Sequence, residues 1–258
     1  MALAMTDNQF KKAALAGERQ LGAFMALADP VSAELMATTG FDWLLIDGEH
    51  GPNDIKSVMG QLQALAAYSV NPVVRMQDHD VANIKRVLDV GGQTLLIPMV
   101  ESADQAKQLV QAVQFPPKGV RGMGGGLTRA TRWGSIPDYL EKADANICLI
   151  LQLESPEGIE ELDAITNTDG VDAIFIGPAD LAAAMGYIGQ PAHPKVKQVV
   201  ETSIQKIKAI GKPVGVYCST PEQMKSYQAL GASFFLIGAD TMLLKQAAGS
   251  LVNQFNNE

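Results

Sequence analysis

Eight short apolar runs recur along the 258-residue chain, and they constrain its fold more than any other feature. They are Leu21–Leu27, Trp43–Ile46, Pro72–Met76, Thr94–Pro98, Ile147–Leu153, Ala173–Ile176, Pro213–Tyr217 and Phe234–Ile237. Short apolar runs that do not alternate with polar residues read as strands buried on both faces. Helical spacing fills the gaps between them. Asp29-Pro30 supplies an N-cap and a first-turn proline, with Gly40 as the stop. From Asn53 to Ala67 the apolar positions Ile55, Val58, Met59, Leu62, Leu65 and Ala66 share a helical face. Val81–Val90, Ser102–Val113, Pro156–Ile165, Pro194–Ile210 and Asp240–Val252 read likewise, and Thr220-Pro-Glu-Gln223 has the spacing of a capping box.

Strands alternating with helices, and no linker-like or low-complexity stretch, predict a single (β/α)₈ TIM barrel spanning residues 1–258. Such barrels run to about 250 residues. A doubly wound open sheet is the alternative, but it usually uses fewer strands. A hydrophobic content of 47% is ample for the core. With a net charge of −8 and no long Lys/Arg run, neither a nucleic-acid nor an anionic-membrane partner is expected. Cys148 and Cys218 suggest neither a disulfide framework nor a zinc site. Met1–Met5 is too short for a signal-peptide core and no apolar run approaches 18 residues, so a soluble cytoplasmic protein is expected.

One gap is too long for a single helix. Between Val113 and Ile147, Gly122, Gly124, Gly125 and Gly126 give a backbone free to take positive φ. A connection of that length suggests a lid, a phosphate cradle or an oligomer contact, though it matches no P-loop. Arg121, Arg129 and Arg132 with Trp133 fit either an anion site or a structural role.

Chemistry concentrates where the strands end. Trp43–Ile46 stops abruptly in Asp47-Gly-Glu49-His50, closed off by Gly51-Pro52. Ionisable groups against the carboxyl end of a buried strand are costly unless paired or used, and in a barrel that end is where catalysis sits. The plainer alternative is a solvated loop with an incidental histidine. Arg75 ends the third run and suits a carboxylate or a developing oxyanion, although such an arginine is otherwise usually half of an ion pair. Glu154 and Asp180 offer two hard oxygen ligands with room for water and substrate, which suits Mg²⁺ or Mn²⁺ rather than zinc. Each carboxylate could instead cap its following helix, but Ser155 before Pro156 is the better cap there. Gly177-Pro-Ala-Asp180 opens a helix whose first N–H groups form an anion site. No lysine lies at a strand's carboxyl end, which argues against a Schiff-base enzyme. His79 and His193 sit in polar, loop-like context and read as solvated.

The segments GFDWLLIDGEHGPN, PVVR, LDVGGQTLLIPMV, PPKGVRG, RATRWGSIPDYL, LQLES and GVDAIFIGPADL together resemble the HpcH/HpaI family. These are metal-dependent (class II) pyruvate aldolases that cleave 4-hydroxy-2-oxo acids to pyruvate and an aldehyde. The match runs from about Phe10 to the C-terminal helix. DGEH followed by GPADL is its most specific part. The resemblance implies His50 as proton acceptor, Arg75 as transition-state stabiliser, and Glu154 and Asp180 as ligands of Mg²⁺, Mn²⁺ or Co²⁺. It further implies Gln152, Ala179 and Asp180 as substrate contacts, and Asp89 as the group raising the basicity of His50. It also implies a homohexamer whose last helix is exchanged between subunits.

The chain departs from the family pattern at Gly125-Gly126, where Ser-Ala is expected, and at Tyr217, where leucine is expected. Both bear on the substrate rather than the reaction class. Tyr217 ends the seventh run and is expected to face the mouth on the aldehyde side, or else to pack sideways against Cys218. Two competing functions are a CoA-ester lyase of the citramalyl- or malyl-CoA type and a non-catalytic barrel that binds 2-oxo acids. The first needs a basic CoA-binding cluster that is not evident, and the second has no use for His50.

Overall fold

A computed structural model describes residues 3–256, so the first two residues of the Met1–Met5 stretch lie outside it. Eight parallel strands close into a barrel in chain order: β1 (Gln20–Met25), β2 (Trp43–Asp47), β3 (Asn71–Arg75), β4 (Thr94–Ile97), β5 (Cys148–Leu153), β6 (Ala173–Ile176), β7 (Val214–Tyr217) and β8 (Phe234–Ala239). All eight expected strands are present, with no end shifted by more than two residues and β6 matching at both ends. Alternation along each strand separates two cores. Trp43, Leu45, Val73, Leu96, Ile150, Phe175, Phe234 and Leu236 fill the barrel interior. Leu44, Ile46, Val74, Leu95, Ile97, Leu149, Leu151 and Ile174 point outward and pack beneath the helices. Burial on both faces is why these strands read as continuous apolar runs.

The amino-terminal end of the barrel is closed by a helix that the spacing of the sequence does not announce, α1 (Gln9–Leu15). Its Phe10 is fully buried and meets Trp43 and Phe234 edge-on, with ring centroids 5.5 and 5.4 Å apart. Gly22 makes room for this cluster, since a Cβ there would run into the Trp43 indole. Asn8 caps α1 by accepting from Lys11 N at 2.9 Å and donates to Thr94 Oγ1 at 2.9 Å. Lys11 Nζ donates to Ile147 O at 2.7 Å and pairs with Asp172 at 2.9 Å. With the strand starts sealed, the opposite end is the open one.

The remaining helices are α2 (Pro30–Ala37), α3 (Ile55–Leu65), α4 (Val81–Asp89), α5 (Ala103–Val113), α6 (Tyr139–Asn146), α7 (Pro156–Glu160), α8 (Leu162–Thr166), α9 (Pro178–Ala184), α10 (Pro194–Ile210), α11 (Pro221–Leu230) and α12 (Asp240–Asn256). Asp29 caps α2 through the N–H groups of Val31 and Ser32, as its sequence predicts. The capping box at Thr220 is only half formed. Thr220 accepts from Gln223 N, but Gln223 Oε1 takes the N–H of Ser219. The single helix expected over Pro156–Ile165 is broken at Glu161, and nothing in the structure explains the break.

In the long connection after α5, two arginines have structural roles. Arg121 is buried between the rings of Phe115 and Tyr139, 4.4 and 5.8 Å from their centroids, and donates to Tyr139 OH at 3.1 Å. Arg129 donates to the carbonyls of Val90 (2.6 Å) and Leu62 (3.3 Å), and burial lowers its pKa to about 10. Trp133 is exposed. On α12 only Asp240 is buried, while Met242, Leu243, Leu244, Leu251, Val252 and Phe255 are exposed. No described helix is long and apolar enough to cross a membrane.

Candidate active site

The inward-facing alternation that builds the apolar interior continues into a polar layer at the carboxyl ends of the strands. β2 runs Trp43, Leu45, Asp47; β3 runs Val73, Arg75; β5 runs Ile150, Gln152, and then Glu154 just beyond it. These four polar side chains are almost fully buried, at 4%, 6%, 3% and 1% exposure for Asp47, Arg75, Gln152 and Glu154. Buried polar groups of this kind must be partnered, and each of them is.

Arg75 donates from Nε and Nη2 to the two oxygens of Asp47, both at 2.8 Å, and its guanidinium lies 5.0 Å over the Phe24 ring. Nη1 touches Glu49 Oε2 at 2.8 Å without the alignment of a hydrogen bond. Asp47 also shapes the turn after β2, with Oδ1 accepting from Glu49 N (3.1 Å) and His50 N (3.3 Å). Asn53 ties that turn to β1 by donating to Asp47 O (2.9 Å) and Met25 O (3.2 Å). Burial works to raise the Asp47 pKa, but the hydrogen bonds and charge of Arg75 bring it below the usual carboxylate value. Glu49 goes the other way, raised by burial despite Arg75. His50 stands out of this layer with 66% of its side chain exposed, its Nε2 3.9 Å from Glu49 Oε1.

Glu154 is held on three sides. Met99 N donates to Oε1 at 2.9 Å, the Gln152 amide donates to Oε2, and Gly177 closes on Oε2 so tightly that a Cβ there would collide with it. Ser155 caps α7 through Gly158 N at 3.1 Å, which leaves Glu154 free of capping. Burial pushes the Glu154 pKa up to about 7 against those two donors, and the nearby charges of Glu49 and Asp180 add to the rise. Asp180 and Ala179 are exposed on the first turn of α9, which no side chain caps. Its leading N–H groups are therefore left for solvent or a ligand.

The mouth thus carries Asp47, Glu49, Glu154 and Asp180 against one buried guanidinium, already engaged by two of them. Among the described residues, no three His, Cys, Asp or Glu side chains converge as a metal cage. Two carboxylates in a site with excess negative charge fit a hard divalent cation whose other positions go to water and substrate.

Other expected residues are placed differently. Asp89 ends α4, 3.8 Å from Arg121, with its pKa raised by burial; it shares no hydrogen bond or ion pair with His50 of the same chain. Tyr217 ends β7, half-buried against the interior cluster. Neither His79 nor His193 is simply solvated. His79 Nε2 donates to Pro98 O at 2.6 Å, while His193 caps α10 and stacks on Tyr187 with centroids 3.7 Å apart. The contribution of Met99 has no signal in the sequence, because a non-glycine residue with a φ of 51° is not legible there. Glu49 is already among the strand-end ionisable residues that the DGEH run offers.

The sequence profile of the HpcH/HpaI aldolase/citrate lyase family matches residues 20–247. A hydroxypyruvate/pyruvate aldolase from Pseudomonas aeruginosa is 50% identical over 248 residues, covering 96% of this chain and 92% of that protein. A 4-hydroxy-2-oxo-heptane-1,7-dioate aldolase from Shigella flexneri is 49% identical over 251 residues, covering 97% and 94%. The crystal structure of a family member from Burkholderia cenocepacia J2315 superimposes with a TM-score of 0.92 at 35% identity, covering 96% of this chain and 99% of that one. On the profile, the identities and the barrel alike, the chain belongs to the HpcH/HpaI aldolase/citrate lyase family.

Proposed function

We propose that this chain is an aldolase that reversibly cleaves a 4-hydroxy-2-oxo acid to pyruvate and an aldehyde. The observation that carries the reading is one mouth in which exposed His50 and Asp180 overlie the buried layer of Arg75, Gln152 and Glu154. Two relatives named as aldolases, about half identical along nearly the whole chain, support the same class.

Glu154 and Asp180 would hold a divalent cation, Mg²⁺, Mn²⁺ or Co²⁺. When bound, it supplies Lewis acidity at the 2-oxo group and carboxylate of the substrate. Arg75 spends two N–H donors on Asp47, and its remaining donors stabilise the negative charge that grows on the enolate oxygen. The Gln152 amide and the N–H groups of Ala179 and Asp180 at the start of α9 orient the 2-oxo acid. His50 takes the proton from the C4 hydroxyl. The C3–C4 bonding pair then moves into the enolate as the aldehyde departs, and protonation at C3 gives pyruvate. Tyr217 lies on the aldehyde side.

Asp89 raises the basicity of His50 only across a subunit boundary in this reading, because within the chain it is turned to Arg121. The exposed apolar residues of α12 are covered by a neighbouring subunit in a homohexamer, as patches of that kind mark association surfaces. A cytoplasmic location belongs to the same proposal.

The test is pyruvate release from a panel of 4-hydroxy-2-oxo acids, with chelator and with each metal restored, and with citramalyl-CoA, whose cleavage also yields pyruvate, as the control substrate. Metal-restored release from the hydroxy-oxo acids alone is expected. A borohydride-trapped pyruvate adduct would sink the metal-dependent class.

A further inference from the structure

Met99 lies between β4 and α5 with a φ of 51°, the left-handed region that is costly for a residue carrying a Cβ. Its N–H is the donor to Glu154 Oε1 at 2.9 Å. Both of its neighbours are fixed. His79 Nε2 donates to Pro98 O at 2.6 Å, and Val100 N donates to Gln152 O at 3.1 Å. On the far side Val100 O is pressed against Gly158, where a Cβ would stand 2.6 Å away.

These contacts belong to two successive peptide planes. The plane before Met99 carries Pro98 O and Met99 N; the plane after it carries Val100 N. Rotation about Met99 alone sets the angle between them, so the bonds to His79, Glu154 and Gln152 are made together only at its observed conformation. Strained conformations persist where the surroundings over-determine them, and they cluster at functional sites. Gln152 serves both ends of the arrangement, its carbonyl holding Val100 and its amide holding Glu154.

We propose that Met99 is a positioning residue whose left-handed backbone aims an N–H at Glu154, so that this carboxylate presents its free lone pairs to a divalent cation. His79 is the clamp that keeps it there. The inference rests on the cation site proposed above.

The test is the Kd for Mn²⁺, by electron paramagnetic resonance of the free ion, in the wild type, Met99→Val, Met99→Gly, His79→Ala and the double variant His79→Ala/Met99→Gly. A β-branched valine resists the left-handed region, so Met99→Val weakens Mn²⁺ by about tenfold or more, the usual effect of losing a partner that orients a metal ligand. Glycine takes that conformation freely, so Met99→Gly stays within about threefold of the wild type. His79→Ala weakens binding, and the double variant recovers to the Met99→Gly level because glycine does not need the clamp. Met99→Val binding as tightly as the wild type overturns the proposal, as does a His79→Ala deficit that persists in the double variant. A wild type that binds no Mn²⁺ overturns both this inference and the cation site beneath it.

Discussion

Arg75 grips Asp47 with two parallel hydrogen bonds of 2.8 Å, one to each carboxylate oxygen, in a layer where both side chains are almost fully buried. The pair does two jobs. It fixes the guanidinium that faces the mouth, and it leaves Asp47 Oδ1 positioned to accept the N–H groups of Glu49 and His50. The guanidinium, the turn and the backbone of His50, the proposed proton acceptor, are therefore one unit.

Removing one partner of a buried ion pair leaves the other uncompensated, which costs about 3–5 kcal/mol. Asp47→Asn is expected near the lower figure, since Glu49 still touches Arg75. The sign with pH follows from the depressed Asp47 pKa. Its stabilisation is fully present above the unfolded value near 4 and is lost as pH falls through the folded one. Urea denaturation of wild type and variant should therefore show a gap that is constant at neutral pH and narrows below about pH 4. A gap that stays constant into acid would detach the effect from the ionised pair.

Glu154 gives the opposite sign. Burial raises its pKa from 4.5 to about 7, so between those values the metal-free folded state holds a proton that the unfolded state has released. Stability contributed by this group therefore falls as pH rises from 4.5 to 7, by on the order of 3 kcal/mol at 1.36 kcal/mol per unit. Glu154→Gln should be the more stable protein at pH 8 and no more stable than wild type near pH 4.5. Saturating Mn²⁺ should reverse the order at pH 8 by stabilising only the wild type. Thermal melts in chelator and in metal measure both arms, and a variant less stable than wild type in chelator at pH 8 would contradict the buried-charge account.

Variants of Arg75 and His50 separate the proposed charge stabilisation from the proposed proton transfer. Arg75→Lys keeps a cation but loses the fork, and kcat should fall by roughly a hundredfold, as when an oxyanion donor is removed. His50→Ala should leave Mn²⁺ binding intact while slowing both aldol cleavage and deuterium exchange at the pyruvate methyl. Wild-type exchange in His50→Ala would remove His50 as the base for that step.

How much of this was legible in the chain depends on whether a feature repeats. Eight strands were readable because each buries both faces, and most of the polar layer was readable because Asp47, Arg75 and Glu154 interrupt apolar runs at their carboxyl ends, whereas Gln152 came only from the family resemblance. Helix α1 was not, because its seven residues are too few for periodicity and only Phe10 and Ala14 of them are buried. Met99 and His79 were invisible for a different reason. One acts through a backbone angle and the other through a carbonyl that only the folded chain brings near. Arg121 and Arg129 stayed ambiguous because a buried structural arginine and an anion ligand have the same sequence; the rings and carbonyls around them decide it. Asp89 shows the limit of a single chain, since its proposed effect on His50 has no geometry within one subunit.

That placement of Asp89 has its own test. If Asp89 acts on His50 of a neighbour, His50→Ala and Asp89→Asn subunits refolded together will form some sites with both native residues. Mixed oligomers should then recover activity that neither parent shows, by about a quarter of the wild-type sites if assembly is random and each site draws on two chains. Mixtures no more active than the average of the two parents would place Asp89 in a structural role beside Arg121.

Tyr217 governs the choice of aldehyde in the last expectation. It ends β7 on the inward-facing alternation and is half-buried against the interior cluster, so its ring borders the mouth from the strand opposite Arg75 in the barrel order. In the proposed mechanism pyruvate recognition falls to the metal carboxylates, Arg75 and the start of α9, which leaves Tyr217 for the aldehyde half. Its bulk excludes long aldehydes, whereas a hydroxyl within hydrogen-bond reach favours an aldehyde with its own hydroxyl or carboxylate. A site built around a hydrogen bond rejects partners lacking it more sharply than an apolar pocket rejects a methylene. Tyr217→Phe should therefore weaken the preference for hydroxylated or acidic aldehydes by roughly 1 kcal/mol, a typical net hydrogen-bond value. Tyr217→Leu should in addition admit longer chains. The measurement is kcat/KM in the synthesis direction for pyruvate with succinic semialdehyde, glycolaldehyde and propionaldehyde. If the ratios among the three aldehydes are the same in wild type and both variants, Tyr217 only packs against the barrel interior and the aldehyde is selected elsewhere.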